Sequence, residues 1–198
     1  MTVDICKESL QDLKEILRND RFSMTKRFRT LFVLKNINSV ESREIIQQAF
    51  NTNSNLLKHE LAYCLGQMGH LDSLPTLHSI LEDSTQHSMV RHEAAEAMGA
   101  IGSLSSLDIL KKYSGDCCQV VSETCLLAID SILNKGVEKD GKVVGNDKSA
   151  LFTSTDPAPG GLTASSTFEL ETILMDQSKS LYDRYKAMFT LRNRFESI

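Results

Sequence analysis

The chain has 198 residues, of which 41% are hydrophobic, and a formal net charge of -4. This length is enough for one domain with a sizeable core or for an array of stacked repeats. The basic residues are scattered and form no stripe that could track phosphates, so we expect no nucleic-acid partner.

The amino-terminal segment MTVDICKESLQDLKEIL lacks the regions of a signal peptide. No window approaches the roughly eighteen consecutive apolar residues of a membrane-spanning helix. The five cysteines form no CxxC pair, which is typical of reduced thiols. We therefore expect a soluble, cytoplasmic protein that has no membrane partner.

Two segments, LLKHELAYCLGQMG from Leu56 and MVRHEAAEAMGAIG from Met89, match each other at a shift of 33 residues. Their apolar residues recur at the spacing of one face of an α-helix. Each segment then reaches a glycine, Gly69 or Gly102, that can end the helix in the left-handed conformation. Shorter helices should follow, with Ser73 and Ser103 as N-caps.

The same unit recurs on both sides of this pair. Upstream, KRFRTLFVLKNINSVESREIIQQAF carries Asn38 in place of the glycine, and downstream CQVVSETCLLAIDSIL repeats the pattern of the long helix. We therefore predict an all-α fold in which residues 1–135 form four helix-pair repeats. Helix pairs at this period are typical of an α-solenoid of the HEAT type.

The composition changes after this array. Residues 136–166 are rich in Gly, Ser, Thr, Asp and Pro, which predicts a flexible linker. The following DRYKAMFTLRN aligns with KRFRTLFVLKN, so that Arg184 matches Arg27. Residues 167–198 are therefore predicted to be a truncated first repeat of a second HEAT array. Because a covering repeat is missing, we expect this segment, with apolar residues such as Leu170, to be loosely packed or to dock on whatever surface is available.

His59 with Glu60 and His92 with Glu93 occupy the same register in the two matched segments. The axes of stacked helices lie about 8–10 Å apart, so two imidazoles at equivalent positions of neighbouring helices can share a metal. Two imidazoles with one or two carboxylates suit ferrous iron, manganese or zinc. However, His-Glu pairs are also common on solvated helix surfaces, and duplication copies neutral residues too, so the pattern leaves both interpretations open.

Other polar residues favour ordinary structural roles. Cys64 is expected to fill the core. His70, His78 and His87 are expected to be solvated or locally hydrogen-bonded. Four basic residues are expected on a solvated helix face: Arg27, Arg29, Arg184 and Lys186.

The segments KHELAYCLGQMG, RHEAAEAMGAIG and YDRYKAMFTLRN resemble the deoxyhypusine hydroxylases, which are HEAT-repeat di-iron monooxygenases. Members of that family have two homologous four-repeat halves joined by a variable linker, and each half carries two His-Glu motifs. The resemblance covers nearly the whole chain outside the linker. It implies an N-terminal half, the linker and the start of a second half.

The resemblance implies hydroxylation of the deoxyhypusine side chain of a eukaryotic translation initiation factor, with molecular oxygen at two Fe2+ ions, to form hypusine. It implies metal ligands at His59, Glu60, His92 and Glu93. Glu60 is also the candidate catalytic residue, placed either near the metal or against an amine of the cationic substrate.

The second half stops here before its first His-Glu motif, so at most one of the two ligand sets is present. The expected explanations are a fragment, an alternative product or a truncated gene model, or a chain that borrows a missing C-terminal half from a second chain. In each case we expect this chain to be inactive alone. Two other functions stay open: a non-catalytic HEAT scaffold that binds a protein partner, and a single-metal binding module.

Overall fold

The computed structural model of the chain describes residues 9–135, 155–162 and 164–194. In these ranges it contains ten α-helices and no strand, which confirms the all-α prediction. Long and short helices alternate along the chain. The helices are α1 (Leu10–Arg18), α2 (Met24–Ile37), α3 (Val40–Gln48), α4 (Asn55–Met68), α5 (Leu74–Glu82), α6 (Ser88–Ile101), α7 (Leu107–Tyr113), α8 (Gln119–Lys135), α9 (Thr167–Met175) and α10 (Leu181–Arg194).

The long helices lie side by side in chain order. Helix α4 packs between α2 and α6, and α6 packs between α4 and α8. The short helices pack on the long ones, as α5 does on α6 and α7 on α8. The facing side chains form one continuous core in which Leu57, Leu61, Val90 and Ala94 are fully buried. The repeat pattern predicts this stack of helix pairs, because each unit buries its apolar face on the next.

The predicted ends of three long helices are confirmed. Asn38, Gly69 and Gly102 end α2, α4 and α6 with φ angles of 51°, 72° and 78°, in the left-handed conformation. Glycine and asparagine adopt this conformation at the lowest cost, which is why they follow the apolar stripe in the sequence.

Ser73 directly precedes α5, as predicted, whereas the predicted start of α7 after Ser103 needs correction. A 3-10 turn at Leu71–Ser73 precedes α5, and Ser73 makes no side-chain cap bond there. Ser103 does accept a hydrogen bond from the Ser105 main chain, but it caps a second 3-10 turn, and α7 begins only at Leu107.

Three arginines at equivalent places in long helices each bind the end of the preceding short helix. Each Nε donates to a main-chain carbonyl at 2.9 Å, in the pairs Arg27 to Leu17, Arg91 to Leu81 and Arg184 to Leu174. The last carbonyls of a helix lack partners within it, and the guanidinium supplies one. Arg27 is only 3% exposed, so our prediction that it lies on a solvated face is wrong.

Most of the segment predicted to be a linker, residues 136–154, lies outside the described residues, so its flexibility stays a prediction. The described residues 155–162 are packed: Ala158 is fully buried and lies in one cluster with Leu127 and Tyr182. Helix α10 packs on α9 and α8. Leu170 is fully buried, which agrees with docking of this segment and not with loose packing, whereas Phe168 is 77% exposed.

Candidate metal centre

His59 and His92 lie at the same position of two neighbouring helices. Each is the fifth residue of a helix of 14 residues, α4 for His59 and α6 for His92. Because these helices pack side by side, the two rings face each other with their centroids 5.6 Å apart and an interplanar angle of 51°. The two imidazoles therefore converge, as the matched register predicts.

The short distance between α4 and α6 depends on a glycine. A Cβ atom added at Gly66 would lie 2.7 Å from Cα of Ala97, which is closer than side-chain contacts allow. Gly66 therefore lets the backbone of α4 approach α6 two turns after His59. This approach keeps the two histidines within reach of each other.

Glu93 provides a carboxylate between the two rings. It is 5% exposed, and its Oε2 lies 3.0 Å from Nε2 of His59. This hydrogen bond to Glu93 is the largest cause of the raised pKa of His59, and burial opposes it. Burial lowers the pKa of His92, which favours its neutral form. A neutral imidazole is the form that binds a metal.

Glu60 lies on the other side of His59. Its Oε1 is 3.3 Å from Nδ1 of His59, so the two ring nitrogens of this histidine each face a carboxylate. Three of the four residues named from the sequence, His59, His92 and Glu93, each place one ligand atom within 4.8 Å of the others. Glu60 is not a member of this group.

The donor set suits a divalent transition metal. Two imidazole nitrogens and one carboxylate oxygen are typical ligands of ferrous iron, manganese and zinc. The second ring nitrogen of a ligating histidine usually donates to a carboxylate, which fixes the ring and raises its basicity. If a metal were bound by His59 through Nε2, Glu60 would be the carboxylate that accepts a hydrogen bond from Nδ1. The residues therefore fit a metal ion, with Glu60 orienting a ligand.

A cavity adjoins the cluster on the side of Glu93, and sequence reasoning missed its most unusual residue. It is lined by Tyr63, Gly66, Gln67, Glu93, Glu96, Ala97, Ala100, Thr155 and Pro157. Burial raises the pKa of Glu96 to about 7, and the neighbouring carboxylates of Glu93 and Asp156 act in the same direction. The spacing in the sequence could have revealed it. Residues three and four apart on a helix share a face, so Glu96 lies on the same face of α6 as His92 and Glu93.

His78 and His87 have local roles, as we expected. Nδ1 of His87 accepts from the main chain of Met89 and so caps α6. Nε2 of His78 lies 3.2 Å from the hydroxyl of Ser106. Cys64 is fully buried and free, which confirms its role as a core residue. In the described part of the chain, no helix has the length and apolar character needed to cross a bilayer.

A family model described as HEAT repeats matches residues 42–129. This range contains both His-Glu pairs and the helices α4 and α6 that carry them. The match confirms that the stacked helix pairs are of the HEAT type.

Three relatives of this chain are all named deoxyhypusine hydroxylase. The chain is 44% identical over 189 residues to deoxyhypusine hydroxylase of Drosophila melanogaster, covering 96% of this chain and 61% of the relative. It is 47% identical over 182 residues to the Danio rerio enzyme, covering 90% and 58%. It is 42% identical over 191 residues to the Homo sapiens enzyme, covering 96% and 59%. The chain therefore spans less than two thirds of the length of these relatives.

A solved structure agrees with the sequence relatives. The structure of human deoxyhypusine hydroxylase in complex with glycerol superposes with a TM-score of 0.83 at 40% sequence identity. The superposition covers 93% of this chain and 62% of that chain.

Proposed function

The chain belongs to the deoxyhypusine hydroxylase family, and from this membership we propose that it contributes to hydroxylation of a deoxyhypusine side chain, forming hypusine. The protein substrate is the eukaryotic translation initiation factor that the family resemblance implies, and the setting is the cytoplasm. The relatives support this enzyme function and not the alternative of a non-catalytic scaffold. Because the chain spans only part of those relatives, the activity itself is our proposal.

One observation carries the proposal: the convergence of His59, His92 and Glu93 between α4 and α6. We assign these three residues as ligands of one Fe2+ ion. Iron supplies the electrons that activate molecular oxygen, which no side chain does alone. The chain's own residues hold that ion in place, and the buried Glu93 carboxylate offsets part of its charge.

Glu60 is a positioning residue in this proposal. Its contact with Nδ1 of His59 at 3.3 Å holds the ring so that Nε2 points toward His92 and Glu93. Glu60 also favours a cationic substrate over a neutral one, since a buried amine needs a negative partner. Deoxyhypusine, a lysine extended by an aminobutyl group, has this charge.

We further propose the division into residues 1–135, a linker at 136–166, and the first repeat of a second array at 167–198. The repeated arginine bond supports it, because Arg184 binds Leu174 as Arg27 binds Leu17. In this scheme the chain offers one ligand set, and the second iron depends on a C-terminal half that carries further His-Glu motifs.

Metal binding tests the site directly. Chain prepared without oxygen and loaded with Fe2+ is expected to retain the ion after desalting, and His59→Ala or His92→Ala is expected to lose it. His70→Ala, which changes a histidine outside the cluster, is the control. Equal iron retention in all four proteins would contradict ligation by this cluster.

Activity tests the reaction separately. A deoxyhypusine-bearing factor is incubated with the chain alone and with an added C-terminal half from a relative, and hypusine is measured by mass spectrometry. We expect product only in the second mixture. Failure to form product with both halves present and iron bound would contradict the proposed reaction.

A further inference from the structure

Residues 155–162, here called the clamp segment, run between two long helices that are not neighbours in the stack. Helix α4 packs mainly on α2 and α6, whereas α10 packs mainly on α8 and α9. Units of a repeat array contact only their neighbours, so an influence of α10 on α4 has to pass through α8 and α6 or through a separate segment. The clamp segment provides the direct connection.

Its first end is held by a glutamine of α4. The Thr155 N–H donates to Oε1 of Gln67 at 2.8 Å, and Nε2 of Gln67 donates to the Thr155 carbonyl at 3.1 Å. One side-chain amide therefore satisfies both main-chain groups of one residue. Such paired bonds fix the direction of an extended segment as well as its position.

Helix α10 holds the segment at two places, at Asp156 beside the first end and at Gly161 and Leu162 at the other end. The two terminal nitrogens of Arg192 donate to the two oxygens of Asp156 at 3.2 and 2.7 Å, a bidentate pair. The hydroxyl of Thr190 accepts from the main-chain N–H groups of Gly161 and Leu162 at 3.2 and 3.3 Å. Thr190 is 4% exposed, so these bonds are shielded from water.

The middle of the clamp segment lies against the candidate metal centre. Thr155 and Pro157 line the cavity that also contains Glu93 and Glu96. Pro157 further contacts the space between α6 and α8 that is lined by Gly99 and Ala128. The clamp segment is therefore both a tie between helices and one wall of the space beside a proposed ligand.

We propose that the clamp segment is a coupling device that holds α10 in a fixed position relative to the His59–His92–Glu93 cluster, with Gln67 and Thr190 as the positioning residues at its two ends. Release at either end frees the segment as a unit, loosens α10 and opens the cavity beside Glu93. This inference rests on the contacts within the chain and is independent of the metal and of the proposed reaction.

Amide hydrogen exchange followed by NMR on the full chain tests the coupling. The variants are Gln67→Ala, Thr190→Val, which removes the hydroxyl that holds Gly161 and Leu162, and the double variant of these two, together with Arg192→Ala, which releases Asp156 beside the first end. The matched controls are Gln47→Ala, a glutamine that binds Thr76 away from the clamp segment, and Arg29→Ala, an exposed arginine of α2. Unchanged protection in the centres of α4 and α6 shows that each variant is folded.

The informative amides are those far from each substitution. Gln67→Ala is expected to speed exchange about tenfold at Gly161, Leu162 and within α10, and Thr190→Val is expected to do the same at Thr155. The double variant is expected to add little to either single change, since one release frees the whole segment. Acceleration confined to the amides next to each substitution, or fully additive effects, would overturn the proposal.

Discussion

His59 contacts a carboxylate at each ring nitrogen, and the two carboxylates come from different helices. Glu93 of α6 lies at Nε2, and Glu60 of α4 itself lies at Nδ1. Both contacts stabilise the imidazolium, which agrees with the raised pKa of His59. In the proposed site, a metal bound by His59 would take the place of the proton at Nε2 and would leave the contact of Nδ1 with Glu60 in place. The two glutamates of the repeated motif therefore have different roles despite their identical register.

Substitution of Glu60 separates these roles. We expect Glu60→Gln to weaken metal binding about 10- to 100-fold, because the ring of His59 loses the charged group that orients it. Titration with Co2+, followed by visible absorbance, measures the affinity. Glu171→Gln, at an exposed site on α9, is the control. An affinity equal to that of the unmodified chain would show that Glu60 does not support the ligand.

At the scale of helices, the spacing of α4 and α6 depends on the absence of one methyl group. The same arrangement occurs one repeat later, where a Cβ at Gly99 would lie 3.0 Å from Cα of Ala128. The glycines thus keep α4, α6 and α8 close together along one side of the stack. This close approach explains why the equivalent histidines meet although their helices belong to different repeats.

Gly66→Ala tests this dependence. The added methyl group is expected to push α4 away from α6 and to destabilise the fold by about 1–3 kcal/mol, measured by urea unfolding. The same variant is expected to bind Co2+ more weakly, because His59 moves with α4. Gly115→Ala is the matched control, since a Cβ there meets no atom within 4 Å. If Gly66→Ala were as stable as the control, the close approach would not constrain the helices.

The Arg91 guanidinium forms one hydrogen bond to the unit before α6 and one to the unit after it. Its Nε donates to the Leu81 carbonyl at the end of α5, and its Nη2 donates to Oδ2 of Asp116 at 2.6 Å in the segment before α8. The Arg91 guanidinium holds the pKa of Asp116 below its ordinary value. A carboxyl whose pKa is lowered by folding stabilises the folded state above its unfolded pKa, near 3.9, and this contribution is lost as the pH falls through the folded pKa.

Asp116→Asn is therefore expected to destabilise the chain at pH 7, by about 1–3 kcal/mol, and to do so less and less as the pH falls below about 4. Urea unfolding at a series of pH values measures both effects. Asp108→Asn, in the first turn of α7, is the control for loss of one negative charge. A destabilisation that stays constant across the acid range would contradict the assignment of the pH dependence to this pair.

At the scale of the whole molecule, the described residues bring together one group that can hold a metal, between the second and third long helices. In the corresponding register of α8, Ser122 stands in place of the histidine while Glu123 keeps the glutamate, so the His-Glu motif does not continue into this helix. The clamp segment lies beyond that point and borders the cavity next to the cluster, and α10 binds this segment through Arg192.

This distribution predicts the stoichiometry of metal binding. We expect one tightly bound Fe2+ or Co2+ per chain, measured by native mass spectrometry, and none in the combined His59→Ala and His92→Ala variant. A second ion of comparable affinity in the isolated chain would contradict the proposal that the second ligand set lies in a separate C-terminal half.

Local patterns in the sequence were enough to predict the helices, their ends at Asn38, Gly69 and Gly102, and the shared register of His59 and His92. These features depend on the period of an α-helix and on duplication, and both can be read directly along the chain. The stacking of equivalent helices then followed, because an amphipathic helix must bury its apolar face on a neighbour.

Tertiary structure alone decided which atoms meet. The sequence could not distinguish Glu93, which faces both histidines, from Glu60, which contacts only the far side of one ring, because both follow a histidine by one residue. It could not show that Arg27 is buried, that Glu96 lies in a cavity, or that residues 155–162 pack against α4 and α10. Each of these outcomes depends on contacts between residues far apart in the chain, and helix periodicity carries no information about such contacts.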